Sequence, residues 1–314
     1  MARIVVTRRL PAGVQPPVGS WVWEGEGPIP HGVLLEQVAE AEGLLCMLTD
    51  TIDEELLDAA PRLRVVSQMA VGLDNVDVEA CRRRGVAVGH TPDVLTETTA
   101  DTAFALLAAV VRRIPEGRDL VRSGGWGEWD PELLLGGDLW GTTLGIVGAG
   151  RIGSAVARRA AGFGMHLLYT GRRRKPHLEA ELGIAYRDLP GLLSESDHVV
   201  LSLPLDDDTY HLIDAEALSR MKEGSTLVNV ARGGLVDHDA LVEALRRGRP
   251  ARAALDVTEP EPIPPDHPLV GMPNCLIVPH IGSASVRTRR AMAELAVANL
   301  VAGLEGRPLP AAAT

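Results

Sequence analysis

Short runs of β-branched and other apolar residues alternate with helical patterns along almost the whole chain. In the first third, they predict strands at residues 3–7, 43–48, 63–68 and 86–89, with helices at 33–41, 53–59 and 78–84. A second series predicts strands at residues 142–147, 166–170, 197–202, 225–230, 253–256 and 275–278, again with helical segments between them. This alternation is typical of βαβ units, so the pattern predicts an α/β protein built on parallel sheets.

Two longer helical patterns stand apart from this alternation. Residues 96–114 form one without internal glycine or proline, and residues 285–304 form the other near the end of the chain. Between the first of them and the second series of strands, residues 117–141 contain three tryptophans and several glycines without a clear period. We expect an irregular segment there.

Length and charge restrict the class of protein. The chain has 314 residues, which makes two domains the default expectation. Its formal net charge of −11 argues against general binding to nucleic acid or to an anionic membrane. The longest clear apolar run, residues 103–111, is far shorter than the ~20 residues of a membrane span.

The cysteines and the first residues bear on location and metal content. Cys46, Cys81 and Cys275 are isolated, without the spacing of a disulfide framework or a zinc site. The first residues predict a strand and lack the long apolar stretch of a signal peptide. We therefore expect a soluble cytoplasmic protein without a bound metal.

A glycine-rich sequence, GAGRIG at residues 148–153, matches GxGxxG between a predicted strand and a predicted helix. In that setting Gly148 makes a tight turn, Gly150 lets the backbone approach a pyrophosphate, and Gly153 allows helix and strand to pack closely. The amino-terminal end of the helix also attracts the phosphate charge. The pattern favours dinucleotide binding over an ordinary βα turn.

The residues after the next strand bear on the choice of nucleotide. A carboxylate that binds the ribose hydroxyls is expected about 20 residues beyond the glycine loop. The chain has Gly171, Arg172 and Arg173 there and no acid. A solvated loop is an alternative, because 29 of the 31 basic residues are arginines. The missing acid favours recognition of a 2′-phosphate by Arg172 and Arg173, and hence NADPH.

Three further loops follow predicted strands. Arg232 stands before two glycines, where its planar fork can bind a carboxylate, although taken alone a surface or helix-capping role is more common. His280 has a ring suited to proton transfer near neutral pH, whereas a lone histidine in a loop is more often structural. Gly72 lies in a tight turn that either binds an anion or simply leads into a helix.

Taken together, these motifs resemble the D-isomer-specific 2-hydroxyacid dehydrogenase family over nearly the full length of the chain. The matching stretches are residues 71–77, 148–153, 229–236, 256–262 and 279–284. Within the family the chain is most similar to the glyoxylate/hydroxypyruvate reductases, through residues 90–96, 168–172 and 280–284.

The resemblance implies two doubly wound parallel-sheet domains, with a Rossmann cofactor domain inserted in a flavodoxin-like substrate domain. The dinucleotide-binding domain would span residues 96–282, and residues 1–95 and 283–314 would form the substrate domain. Family members are usually dimers joined through the long helix and the arm after it, so a homodimer is implied.

The resemblance also implies roles for individual residues. In the catalytic group, His280 would protonate the carbonyl oxygen, Glu261 would orient and charge the imidazole, and Arg232 would hold the 2-oxo acid. The implied substrate-binding residues are Val71, Gly72, Arg232, His280 and Ser283. The implied cofactor-binding residues are Thr99, Gly148, Gly150, Arg151, Ile152, Gly153, Gly171, Arg172, Arg173, Pro204, Val230, Asp256 and Gly282.

The main interpretation is an enzyme that prefers NADPH, with NADH as a possible second cofactor, and reduces small 2-oxo acids such as glyoxylate and hydroxypyruvate. Alternatives within the family are dehydrogenases of phosphite, formate or a bulkier D-2-hydroxyacid. A methyltransferase also uses glycine-rich βα turns, but it would not need Arg232, Glu261 and His280 at these positions. A nucleotide-sensing protein similar to corepressors of this fold is a further alternative, because such proteins can retain the three residues.

Overall fold

The computed structural model describes residues 3–313, which fall into two compact units. One unit consists of the described parts of Met1–Leu95 and Ala284–Thr314, and the other is Thr96–Ser283. Each unit is built on one parallel sheet, so the predicted class of two parallel-sheet α/β domains is confirmed. The inserted domain was predicted to end at residue 282, and the second unit ends one residue later.

The first unit contains a five-stranded sheet with the order β2-β1-β3-β4-β5. Its strands are β1 Ile4–Val6, β2 Trp21–Val22, β3 Gly43–Cys46, β4 Val65–Gln68 and β5 Ala87–Gly89. Its helices are α1 His31–Val38, α2 Glu54–Ala59, α3 Val78–Arg83 and, after the second unit, α12 Val286–Leu304. This is the flavodoxin-like strand order.

Local sequence signals explain where these helices begin and how they pack. Asp53 accepts a hydrogen bond from Leu56 N at the start of α2, and Asp77 does the same from Ala80 N at the start of α3. The first three helices pack against one face of the sheet through buried apolar side chains. On the other face, the Ser67 hydroxyl of β4 donates to a backbone carbonyl of α12 at 2.8 Å.

The second unit contains a seven-stranded sheet with the order β12-β11-β10-β9-β6-β7-β8. Its strands are β6 Thr143–Val147, β7 His166–Thr170, β8 Ala185–Tyr186, β9 His198–Leu201, β10 Thr226–Asn229, β11 Arg252–Leu255 and β12 Cys275–Ile277. Its helices are α4 Thr96–Val111, α5 Ile114–Arg122, α6 Arg151–Gly162, α7 Pro176–Leu182, α8 Leu189–Glu195, α9 Ala215–Arg220, α10 His238–Arg247 and α11 Pro268–Gly271. The order is that of a Rossmann sheet with one additional edge strand.

The strands of this second sheet are buried on both faces. Ile146 and Val200 pack into one apolar cluster with α4 and α6, while their neighbours Val147 and Val199 pack into another with α8, α9 and α10. Burial on both faces explains why these strands appear in the sequence as continuous apolar runs.

The long helical pattern at residues 96–114 was predicted as one helix, and this prediction is wrong. The structure has two helices, because α4 ends at Val111 and Arg113 adopts a left-handed φ of +54° before α5 begins. Pro115 has no N–H to offer the Val111 carbonyl, which accepts a hydrogen bond from Gly137 N at 3.1 Å instead. No helix among residues 3–313 combines the length and the apolar character needed to cross a membrane.

The prediction also missed two strands and the start of the connecting segment. Strands β2 and β8 have two residues each, which is too short to leave a recognisable period in the sequence. The segment expected to be irregular from residue 117 is helical in α5 as far as Arg122.

Candidate active site

The glycine loop joins β6 to α6. Gly148 has a φ of +96°, and a Cβ on Gly153 would lie 2.2 Å from the Gly148 oxygen, so the first turn of α6 packs directly on the loop. Gly150 is the N-cap of α6, and apart from Gly150 and its two chain neighbours no described atom lies within 4 Å of the place where its Cβ would be. No side chain among residues 3–313 caps this helix, so its first N–H groups are available to a pyrophosphate.

The arginine cluster follows β7 directly. Gly171 has open space where a side chain would be, and Arg172 and Arg173 are exposed beyond it. The Arg172 guanidinium forms an ion pair with Asp206, which lies in the loop after β9. Arg174, two residues after Arg172, is paired with Glu179 instead.

Arg232 is presented by the loop after β10. The buried Asn229 side chain holds this loop, because its Oδ1 accepts from Ala231 N at 3.0 Å and its Nδ2 donates to the Arg232 carbonyl at 2.8 Å. A Cβ on Gly233 would lie 2.1 Å from the backbone of Thr258, so only glycine allows the two loops to approach this closely. The loop that carries Arg232 therefore packs on the segment that follows β11.

Asp256, at the end of β11, orders the loop after β12. Its buried carboxylate accepts hydrogen bonds from Ile281 N at 2.7 Å and Gly282 N at 2.8 Å. Burial raises the pKa of this carboxyl, and the two backbone hydrogen bonds oppose the rise. His280 lies between β12 and these two residues. It has a left-handed φ of +51°, which is uncommon for a residue with a side chain. The Asp256 carbonyl also accepts from His280 N at 2.9 Å, so this one residue fixes the backbone on both sides of the imidazole.

The His280 ring is paired with Glu261, with its Nδ1 2.6 Å from Oε1 of the carboxylate. Burial raises the pKa of the Glu261 carboxyl, but the hydrogen bond and the charge of His280 outweigh it, and the nearby charge of Arg232 acts in the same direction. The net pKa is lowered, so Glu261 is ionised at neutral pH. Because Nδ1 faces Glu261, Nε2 is the ring nitrogen that remains for another partner.

These groups meet at one edge of the second sheet. Arg232, Glu261 and His280 follow β10, β11 and β12, and the glycine loop follows β6 at the carboxyl end of the same parallel sheet. Ligands of open α/β sheets bind beyond this edge. The arrangement can therefore hold a dinucleotide, bind a carboxylate and transfer a proton.

Comparison with known proteins identifies the family. A sequence profile of the D-isomer specific 2-hydroxyacid dehydrogenase NAD binding domain matches residues 104–282. A glyoxylate reductase from Korarchaeum cryptofilum (strain OPF8) is 49% identical over 313 residues, which cover 98% of this chain and 94% of the relative. The chain belongs to the D-isomer-specific 2-hydroxyacid dehydrogenase family.

Solved structures extend the similarity of this dehydrogenase to both units. The TT0316 protein from Thermus thermophilus has a TM-score of 0.92 and 49% identity, with coverage of 99% of this chain and 100% of that chain. An NADPH-dependent glyoxylate/hydroxypyruvate reductase from Sinorhizobium meliloti, in complex with NADP and malonate, has a TM-score of 0.85 and 33% identity, with coverage of 100% and 97%. The predicted dinucleotide-binding domain is confirmed as an NAD(P)-binding domain.

The remaining residues that were predicted to contact the cofactor lie in the second unit. Thr99 is buried in α4, and its methyl carbon lies 3.4 Å from the place where a Cβ on Gly282 would be. Of the other predicted cofactor residues, Arg151 and Ile152 begin α6. Pro204 follows β9, and Val230 follows β10. Of the predicted substrate residues, Ser283 is the half-buried last residue of this unit.

Val71 and Gly72 belong to the first unit, in the turn after β4. The Val71 carbonyl lies 2.9 Å from Nδ1 of His90, and Gln68 donates to Asn75 at 2.7 Å across the base of the turn. The substrate contacts expected of these two residues stay predictions.

Two residues of the dehydrogenase site were missed by sequence reasoning. Asn229 was counted within a predicted strand, although an asparagine is unusual there and marks the turn that carries Arg232. Asp206 gave no signal, because it lies 34 residues from Arg172 in a separate loop. Asp256 was predicted only as a cofactor contact, and the structure shows that its carboxylate also orders the backbone beside His280.

Proposed function

We propose that this dehydrogenase reduces small 2-oxo acids, with glyoxylate and hydroxypyruvate as its main substrates. The observation that carries the proposal is the 2.6 Å hydrogen bond between His280 and Glu261, at the sheet edge that also bears the glycine loop. A relative with 49% identity is a glyoxylate reductase, which supports the same substrate class.

The proposed mechanism divides the work among three side chains. A reduced nicotinamide nucleotide, with its pyrophosphate held at the glycine loop, would supply the hydride to the carbonyl carbon of the substrate. His280 donates the proton to the carbonyl oxygen through Nε2, which completes the 2-hydroxy acid. Glu261, which is ionised at neutral pH, lies 2.6 Å from Nδ1 and orients the ring. Arg232 binds the substrate carboxylate with its planar fork and keeps the carbonyl in register.

We further propose that NADPH is preferred over NADH. The 2′-phosphate would lie against Arg172 and Arg173, where Gly171 leaves open space at the end of β7. The similar Sinorhizobium meliloti protein is described as NADPH-dependent and was solved with NADP, which supports this choice. Arg172→Ala is expected to raise KM for NADPH about tenfold or more and to leave KM for NADH little changed. Arg174→Ala is the control, because Arg174 donates two hydrogen bonds to Glu179, which is itself held by the Tyr169 hydroxyl.

A substrate panel tests the proposed substrate class. The rates of NADPH and NADH oxidation are measured with glyoxylate, hydroxypyruvate, pyruvate and a bulkier 2-oxo acid. The rates of NADP⁺ and NAD⁺ reduction are measured with phosphite and formate. We expect the highest kcat/KM with glyoxylate or hydroxypyruvate. Faster oxidation of phosphite or formate, or a marked preference for the bulkier acid, would contradict the proposal and favour the corresponding alternative.

A further inference from the structure

The loop after β9 places a carboxylate where the sequence around β7 has none. Oδ2 of Asp206 pairs with Nη2 of Arg172 within hydrogen-bonding distance. Thr209 contacts the same residue twice. Its hydroxyl donates to Oδ1 of Asp206 at 3.0 Å and accepts from Asp206 N at 2.8 Å. Thr209 therefore supports this carboxylate from within its own loop, in addition to the pairing with Arg172.

The Asp206 carboxylate is ionised at neutral pH. The hydrogen bond from Thr209 lowers the pKa of this carboxyl, burial opposes that effect, and the pairing with Arg172 lowers the pKa further. A fixed negative charge thus lies beside the guanidinium that is proposed to receive the 2′-phosphate.

The neighbouring cations are arranged differently. Arg174 is held by Glu179, which also accepts from the Tyr169 hydroxyl at 2.6 Å. Arg173 has no hydrogen-bond or ion-pair partner among residues 3–313. Arg172 is 72% exposed, and ion pairs this exposed are weak enough to exchange one anion for another.

We propose that Asp206 is a specificity-determining residue for the nucleotide, because its carboxylate competes with the ribose 2′-phosphate for Arg172. The inference rests on the proposed NADPH site and goes beyond it by assigning an opposing residue. In the unphosphorylated nucleotide nothing competes with the ion pair, so Asp206 lowers affinity only for the phosphorylated one. The preference for NADPH is therefore smaller than the arginine cluster alone would produce.

The test compares two nucleotide fragments that differ in the 2′-phosphate. The Kd values of adenosine 2′,5′-bisphosphate and adenosine 5′-monophosphate are measured by calorimetry on the full chain and on Asp206→Asn. This substitution removes the charge and keeps a side-chain oxygen for Thr209. We expect the bisphosphate to bind about three- to tenfold more tightly and the monophosphate to change by less than about twofold.

Asp207→Asn is the matched control, because it removes the same charge from the next residue of the same exposed loop. We expect it to change the ratio of the two Kd values by less than about twofold at physiological salt. The gain from Asp206→Asn should also disappear when Arg172→Ala is present, since the competition acts through that guanidinium.

The outcomes separate this inference from the proposed function. If Arg172→Ala weakens bisphosphate binding but Asp206→Asn leaves it unchanged, Asp206 does not compete and the NADPH site stands. Equal tightening of both fragments, or the same gain from Asp207→Asn, also overturns the inference. If Arg172→Ala leaves bisphosphate binding unchanged, the proposed 2′-phosphate site itself is wrong.

Discussion

The chemistry proposed for this protein depends on one imidazole whose orientation is fixed by several contacts. Glu261 holds one ring nitrogen at 2.6 Å. Asp256 fixes the backbone around His280, because its carbonyl accepts from His280 N and its carboxylate accepts from Ile281 N and Gly282 N. The left-handed backbone of His280 needs such support, because it is disfavoured for a residue with a side chain. The structure thus stabilises one direction for Nε2.

His280→Gln is expected to lower kcat for glyoxylate reduction by about 10²–10⁴-fold, the usual contribution of a positioned general acid. Glutamine keeps polar atoms beside Glu261 but cannot donate a proton in the reaction. Steady-state rates with NADPH measure the effect, and His166→Gln, at the exposed start of β7, is the control. A folded His280→Gln protein with nearly the original kcat would remove His280 from the mechanism.

Arg232→Lys is expected to be severely impaired although it conserves the charge. A lysine is a point charge and cannot reproduce a planar two-point contact with a carboxylate. We expect kcat/KM for glyoxylate to fall about 10- to 150-fold, the range for lost hydrogen bonds to charged groups. Arg246→Lys, on the exposed face of α10, controls for the substitution itself. Unchanged kcat and KM in Arg232→Lys would mean that the substrate carboxylate binds elsewhere.

At the scale of elements, the close packing of α6 on the glycine loop after β6 can be tested by substitution. A Cβ on Gly153 would lie 2.2 Å from the Gly148 oxygen and 2.6 Å from the Ser202 hydroxyl. Gly153→Ala is therefore expected to cost about 1–3 kcal/mol of unfolding free energy, as overpacking does, and to weaken binding of adenosine 5′-monophosphate. Denaturant unfolding and calorimetry measure the two effects.

Gly162→Ala provides the matched control within the same helix. Its backbone is helical, and apart from its chain neighbours and the backbone of α6 itself no described atom lies within 4 Å of the place of its Cβ. Because Gly162 is the last residue of α6, alanine there is expected to stabilise the protein by at most about 0.5–1 kcal/mol, the cost of glycine in a helix interior. If Gly153→Ala behaves like Gly162→Ala, the close packing of the loop is not needed.

Elements could be predicted from the sequence where their pattern was long and locally determined. Most strands were found, because burial on both faces makes them continuous apolar runs between turn residues. The helix at residues 96–114 was drawn too long, since Pro115 acts on the carbonyl four residues earlier and the pattern alone does not show this. Both missed strands were two residues long.

The candidate site likewise has parts that the sequence alone predicts and parts that it does not. The glycine loop has a local signature, and its predicted geometry follows from three glycines at fixed spacing. The pairing of Glu261 with His280 was expected only from the family resemblance, because nothing in their spacing brings two loops together. The Arg172–Asp206 ion pair was missed for this reason, since it joins loops from different strands.

At the scale of the whole molecule, buried histidines make stability depend on pH. Burial lowers the pKa of His198 in β9, the charges of Arg252 and Lys222 lower it further, and the charge of Asp197 acts in the opposite direction. The unfolded chain therefore takes up a proton at a higher pH than the folded one. The stabilising effect is complete above about pH 6.5, the ordinary histidine pKa, and decreases as pH falls below it.

His198→Gln is expected to make the free energy of unfolding less dependent on pH between about 6.5 and 5. Each pH unit by which the pKa of His198 is lower in the folded than in the unfolded state corresponds to about 1.4 kcal/mol of unfolding free energy. Urea unfolding at several pH values gives the slope, which is compared with that of His166→Gln. Some slope should remain, because burial also lowers the pKa of His238. An unchanged slope in His198→Gln would show that this residue titrates alike in both states.

Catalysis of hydride transfer to a small 2-oxo acid distinguishes the proposed reductase from a protein that only senses a nucleotide. The most direct measurement is the stoichiometry of a single reaction, in which NADPH consumption and glycolate formation from glyoxylate are followed together with the purified full chain. We expect one glycolate for each NADPH oxidised, with saturation in glyoxylate and loss of turnover in His280→Gln. Tight binding of NADPH without turnover of any 2-oxo acid would contradict it.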